Sequence, residues 1–154
     1  MWLYTLSRAP GSRKLLQSTG LSGRWNREEV PCRYLVGHPA MLIAETTALA
    51  DPPGLPDHYF VVPIEVPDDS IRYFEDDELP ELWTLFPIPI ATQDFGSAHL
   101  KVADKLVLAF PSLAVNNEWI FVLNLAHPLV KTVKFGRSYP LRRQGGRYSD
   151  PIMN

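Results

Sequence analysis

Fifteen of the 154 residues are proline, roughly twice the usual share of about 5%. Each proline removes a backbone donor and fixes φ at about −65°, so it interrupts long helices and the middle of sheets. The chain is therefore expected to fold from short strands, short helices and ordered loops. Its length suits one hydrophobic core, and its 45% apolar content is that of a globular protein. A formal charge of −2 and a pI near 6.1 give no general pull toward nucleic acid or an anionic membrane. The lone Cys32 cannot form an internal disulfide, which fits a reducing compartment. Residues Met1 to Arg8 lack the basic and longer apolar regions of a signal peptide. No apolar run approaches the roughly 20 residues of a membrane span. A cytoplasmic protein with no membrane contact is expected.

Trp2 to Leu6 reads as a strand, and Arg8 to Gly20 as a polar loop with room for one helical turn. A second strand is expected near Arg33 to Val36. Pro39 to Ala50 is the clearest helix, opened by a proline and stopped by Asp51-Pro52-Pro53-Gly54. His58 to Val66 reads as a strand in which Pro63 suggests an edge or a bulge. The acidic stretch Asp68 to Glu81 surrounds a short strand at Ile71 to Phe74 and a helical turn at Glu78 to Leu82. A helix is expected from Gln93 or Phe95 to Asp104. The continuous apolar run Leu106 to Phe110 reads as a buried central strand. Trp119 to Leu123 and Val130 to Phe135 are further strands. These elements predict a single α+β domain with a central mixed or antiparallel sheet over residues 1–136. Residues 137–154 form a basic tail, either part of that domain or loosely held.

The Pro39 helix carries an anomaly. At about 100° per residue, Met41, Leu42, Ala48 and Leu49 share one apolar face, and Glu45 falls in its middle. An unpaired buried carboxylate costs several kcal/mol, so Glu45 must be protonated, paired with a core arginine, or lining a cavity. Arg24, in Ser22-Gly-Arg-Trp-Asn26, offers a planar fork for phosphate or carboxylate, with the Trp25 plate beside it. The plainer reading is an arginine stacked on a tryptophan at the surface. Ser112 ends the buried run and lies either at a cleft or in a strand-end turn. Asn124 and His127 follow another apolar strand and face the same choice. The four histidines show none of the short spacings of zinc sites, and no Walker or Rossmann glycine pattern exists. A nucleophilic Cys32 has no local motif behind it.

Three blocks, in order, resemble the RES domain, a family named for an Arg, a Glu and a Ser. The first is Gly23-Arg-Trp-Asn26, followed by Pro31 and Tyr34. The second is Ala44-Glu45, and the third is Phe110-Pro-Ser112 followed by Asn124 and His127-Pro128. The resemblance runs from about Trp2 to Phe135. Thr5 stands where many relatives carry arginine, Glu29 at a usual glycine, Asp104 at a small residue, Ile120 at a frequent asparagine and Leu125 at a proline.

The resemblance implies a fold similar to ADP-ribosyltransferase toxins and a toxin activity that depletes NAD. That activity cleaves the nicotinamide–ribose bond by hydrolysis or phosphorolysis. It implies NAD as substrate rather than cofactor, no metal, and a partner antitoxin with an Xre-like helix-turn-helix domain. The expected catalytic set is Arg24 on the diphosphate, Tyr34 beside the nicotinamide or its ribose, Glu45 on the ribose, and Ser112 on the nicotinamide amide or a phosphate. Trp25, Asn26, Asn124 and His127 are the expected substrate-binding residues. The alternatives are transfer of ADP-ribose to a protein, or a weakly active binding protein that acts through its partner. Arg142, Arg143 and Arg147 in the tail suit an acidic partner or a solvated end equally.

Overall fold

Alternation along two neighbouring strands decides how the chain layers. In the computed structural model, which describes residues 1–10, 13–49, 59–144 and 147–149, Val107 and Ala109 face one core and Leu108 and Phe110 face another. Phe121 and Leu123 join the first core and Val122 the second, so both sheet faces are covered.

The elements are β1 (Trp2–Ser7), β2 (Cys32–Val36), α1 (Pro39–Leu49), β3 (Tyr59–Glu65), β4 (Ile71–Tyr73), α2 (Ile90–Val102), β5 (Val107–Pro111), β6 (Trp119–Asn124), β7 (Lys134–Phe135), β8 (Tyr139–Gln144) and β9 (Arg147–Ser149). The strands form one sheet in the order β4-β5-β6-β2-β1-β3-β8-β9, with β7 also on β3. The β4–β5 pair is parallel and the others are antiparallel, so the domain is α+β with a mixed sheet.

One sheet face packs Leu3, Leu35, Val62 and Ile64 against Leu15 and Val130 from two short 3-10 turns. The opposite face carries two clusters side by side. Leu100 and Phe95 of α2 cover β5 and β6, while Met41 and Leu42 of α1 cover Val36 and Val61. At the heart of the α2 cluster Trp25 stacks on Phe110 at 3.9 Å, and Phe110 on Phe74 at 5.0 Å.

Several elements differ from expectation for identifiable reasons. Pro63 is not at an edge, because β3 has β1 on one side and β7 and β8 on the other. Its carbonyl accepts from Gly136 at 2.9 Å, and its missing N–H falls in the gap between β7 and β8. Val130 to Phe135 is mostly not strand. Pro128 opens a 3-10 turn through Thr132, with His127 as its cap, and only Lys134–Phe135 pairs. Helix α2 begins at Ile90, as soon as the extended Pro89 allows. The tail pairs with β3 through β8, and Tyr139 and Leu141 pack beside the α1 cluster. Ala50 and His58 lie outside the described residues, as do the side chains of Ala48, Leu49, Arg142, Arg143 and Arg147. No described helix is long and apolar enough to cross a membrane.

Candidate active site

Strands β1 and β2 are neighbours in the sheet, yet they meet at a single register pair, Tyr4 opposite Val36. Beyond it they part. A cavity of about 570 Å³ opens where they separate, between the α1 and α2 halves of the sheet. Ligand pockets usually measure roughly 300–1,000 Å³. Thr5 and Leu6 come from β1, Cys32 to Val36 from β2, and Glu45 and Thr46 from α1. A mostly apolar wall continues through Ile88, Pro111 and Ile120.

Glu45 lines this cavity from the apolar face of α1. Its Oε1 accepts a hydrogen bond from Ser112 Oγ at 2.5 Å. Ser112 in turn accepts the N–H groups of Ala114 and Val115, both at 3.1 Å, which fixes the turn after β5. The hydroxyl's one proton and both lone pairs are thus engaged. The geometry places the Glu45 carboxyl on the cavity wall with a hydroxyl partner. Ser112 differs from its expected role, because its proton goes to Glu45 rather than toward a ligand.

Arg24 stands on a tight turn closed by Gly23 N–H to Asn26 carbonyl at 3.2 Å. The turn sends Arg24 toward the cavity and buries the Trp25 ring, 2% exposed, in the aromatic stack. One guanidinium nitrogen, Nη1, donates to the carbonyls of Trp83 at 2.6 Å and Leu85 at 2.9 Å. Burial lowers the guanidinium pKa, while Tyr34 and Glu45 act in the opposite direction. Arg24 is therefore a cavity cation with part of its fork already in use.

Tyr34 presents its ring to the cavity, but its hydroxyl points away from it. The hydroxyl donates to Asn26 Oδ1 at 2.7 Å and accepts from Trp25 N–H at 2.9 Å. Burial raises its pKa well above the usual phenol value, so the proton stays. Gly23 must be glycine for this contact, since a Cβ there would sit 2.5 Å from the Tyr34 hydroxyl oxygen. Burial also pushes the Cys32 thiol up to about 12, which removes it as a nucleophile at neutral pH.

The structure gathers Arg24, Tyr34 and Glu45 on the wall of one cavity, and Ser112 joins them through its hydrogen bond to Glu45. Of the other expected residues, Asn26, Asn124 and His127 do not line it. Asn26 is buried behind the site, where its Nδ2 donates to the carbonyls of Leu21, Arg27 and Val30. Trp25 reaches the cavity surface but spends its ring on the core. Asn124 donates to Leu100 carbonyl at 2.8 Å and accepts from Ala126 N–H, while His127 accepts from Leu129 N–H. Both hold turns, the plainer of the two readings open to them.

Sequence reasoning missed how α2 grips the Arg24 turn. Gln93 Nε2 donates to Gly23 carbonyl at 2.9 Å, Ser97 Oγ accepts from Arg27 N–H at 2.9 Å, and Asp94 pairs with Arg27 at 2.7 Å. It also missed Arg33, and the exposed rim formed by Leu21, Phe86 and Leu113. The spacing Gln93-Asp94-Ser97 on one helix face was the available signal.

With this geometry in place, comparison with known proteins gives its origin. The model of the RES domain matches residues 5–151. The chain belongs to the RES-domain family. A relative from Sphingobium sp. (strain YBL2) called "Prs ADP-ribosylating toxin" is 32% identical over 115 residues, covering 73% of this chain and 71% of that protein. A second, "Toxin Res" of Photorhabdus laumondii subsp. laumondii, is 27% identical over 142 residues, covering 87% and 90%. The match includes Thr5 at one end and β9 at the other, so the RES domain takes in both the splayed strand and the tail that pairs with β3.

Proposed function

We propose that this RES domain is a cytoplasmic toxin that breaks the nicotinamide–ribose bond of NAD. The observation that carries the reading is the Glu45 carboxyl, held by Ser112 at the wall of a largely apolar cavity that Arg24 also lines. Departure of nicotinamide takes the C1′–N electron pair with it. The cationic ring becomes neutral, and positive charge develops on the ribosyl carbon and ring oxygen. A nearby carboxylate stabilises such a centre, more strongly in a dry site than in water. Glu45 would also orient the acceptor, whose proton is released once its oxygen bonds C1′. Arg24 would bind the diphosphate with the guanidinium donors that Trp83 and Leu85 leave free. Tyr34 would supply a ring wall beside the nicotinamide. An acceptor of water gives ADP-ribose, and phosphate gives its 1″-phosphate.

A second reading is transfer to a protein, favoured by the name of the Sphingobium relative. It shares the bond-breaking step and differs only in the acceptor. Either activity has to be restrained in its own cell, and an Xre-like helix-turn-helix antitoxin seated over the cavity mouth is the proposed partner.

Purified protein free of partner, incubated with NAD with and without phosphate, should release nicotinamide. Label from adenine-labelled NAD appearing on a protein distinguishes transfer from hydrolysis. Glu45→Ala should slow nicotinamide release by about 10²-fold or more, the range for losing a transition-state partner. Wild-type turnover in that variant would remove Glu45 from the chemistry.

A further inference from the structure

Arg33 is a charged residue of the cavity wall with no assigned task. It lies on β2 next to Tyr34 and lines the same cavity as Arg24 and Glu45. Burial lowers the pKa of its guanidinium. Nε donates to Leu15 carbonyl at 2.8 Å, which holds the planar group in place. Among the described residues no carboxylate pairs with it, and its two Nη groups bond nothing. A half-buried cation in this state is costly unless something anionic arrives.

Strand alternation places Arg33 relative to the rest of the site. Tyr4 stands opposite Val36, so Tyr34 shares their face while Thr5, Arg33 and Leu35 share the other. Thr5, 4% exposed, also lines the cavity, and its hydroxyl bonds nothing among the described residues. The cavity therefore extends into the gap between the parted strands. Glu45 and Ser112 stand toward α1, and Arg33 and Thr5 toward the opposite sheet face. Arg24 has Nη1 committed to two carbonyls, so it alone offers an incomplete fork for a doubly charged group.

We infer that Arg33 is a second anion-binding residue of this site. Its Nη groups receive one phosphoryl group of a nucleoside diphosphate moiety, with Thr5 beside it, while Arg24 receives the other. This rests on the NAD reading above for the identity of the substrate, but not for the binding of a diphosphate.

The test uses the full chain free of partner. Titration calorimetry with inorganic pyrophosphate and with ADP-ribose is set beside steady-state NAD kinetics. Arg33→Gln should weaken binding of both ligands by about tenfold or more. KM for NAD should rise by a similar factor while kcat stays within about threefold. Arg33→Lys, which keeps the charge and loses the fork, should fall between the two. It also serves if Arg33→Gln does not fold. Thermal melts of each variant separate this from a purely structural role through Leu15, which would lower Tm and leave pyrophosphate affinity and KM unchanged. A folded Arg33 variant that binds pyrophosphate as the wild type does overturns the inference, and so does wild-type protein that binds neither ligand. Arg33-dependent pyrophosphate binding without nicotinamide release would keep Arg33 and overturn NAD cleavage. Nicotinamide release with a KM indifferent to Arg33 would do the reverse.

Discussion

Ser112 has one proton and two acceptor lone pairs, and Glu45 takes the proton while the turn after β5 uses both lone pairs. A hydroxyl in that state has no lone pair left with which to attack a ribosyl carbon, so its contribution is to hold Glu45. Ser112→Ala removes the partner of Glu45 and leaves two N–H groups without an acceptor. We expect a stability loss of about 1–2 kcal/mol in denaturant melts and a kcat drop with little change in KM. Ser112→Thr, which restores the hydroxyl, should recover most of both. Equal stability in Ser112→Ala would mean that the turn holds without its side chain. Away from the site, His99 packs between Phe74 and Phe95 and faces Arg72 across 3.5 Å. Burial and then Arg72 lower its pKa, with Glu78 opposing them. The folded state thus binds the proton more weakly than the unfolded chain does. The stability that His99 contributes is present above its ordinary value of about 6.5 and is lost as the pH falls through it. Melting temperatures recorded from pH 7.5 down to 5.5 should fall less steeply in His99→Asn than in the wild type. Parallel curves would exclude His99 as the source.

At the scale of elements, α2 is the platform on which the Arg24 turn is built. Gly96 lets the helix approach so closely that a Cβ there would lie 2.0 Å from the Trp25 carbonyl oxygen. Gly96→Ala must push the turn or the helix away. It should cost about 1–3 kcal/mol or more by overpacking and lower nicotinamide release, because Arg24 moves with Trp25. Gly37→Ala is the control, since its added methyl meets only Phe121 at 3.7 Å. Equal stability of the two variants would show that α2 can shift freely. The same scale explains which side chains were legible beforehand. Glu45 was visible because a carboxylate in the middle of an apolar helical stripe breaks a periodic pattern. Asn26, Asn124 and His127 belong to turns rather than to the cavity wall, because a polar residue beside an apolar run looks alike in sequence whether it faces a ligand or caps a backbone. The acidic run at Asp76–Glu78 lies apart from the cavity. It forms an exposed 3-10 turn closed by its own capping box.

For the whole molecule, the decisive feature is the parting of β1 and β2 under a sheet that is otherwise continuous. A diphosphate-bearing ligand seated there would touch both sides of the gap. ADP-ribose at 100 times its dissociation constant should therefore add about 2.7 kcal/mol, or roughly 5–10 °C in Tm for a chain of this size. No shift at millimolar ligand would mean that the gap does not bind it. The hydrophobic clusters, the short elements and the order of strands and helices follow from patterns confined to a few neighbouring residues. Proline content, the Leu106 to Phe110 run and the Pro39 helix carried that information, and so did the three separated blocks that mark the family. The sequence could not say that β1 and β2 separate after one residue pair, that Arg33 faces the gap they leave, or that Pro63 lies inside the sheet opposite a break between β7 and β8. Each of these depends on which distant strands become neighbours and where their pairing stops. That is a balance of packing and hydrogen bonding across the whole sheet, and it exists only once the chain has folded.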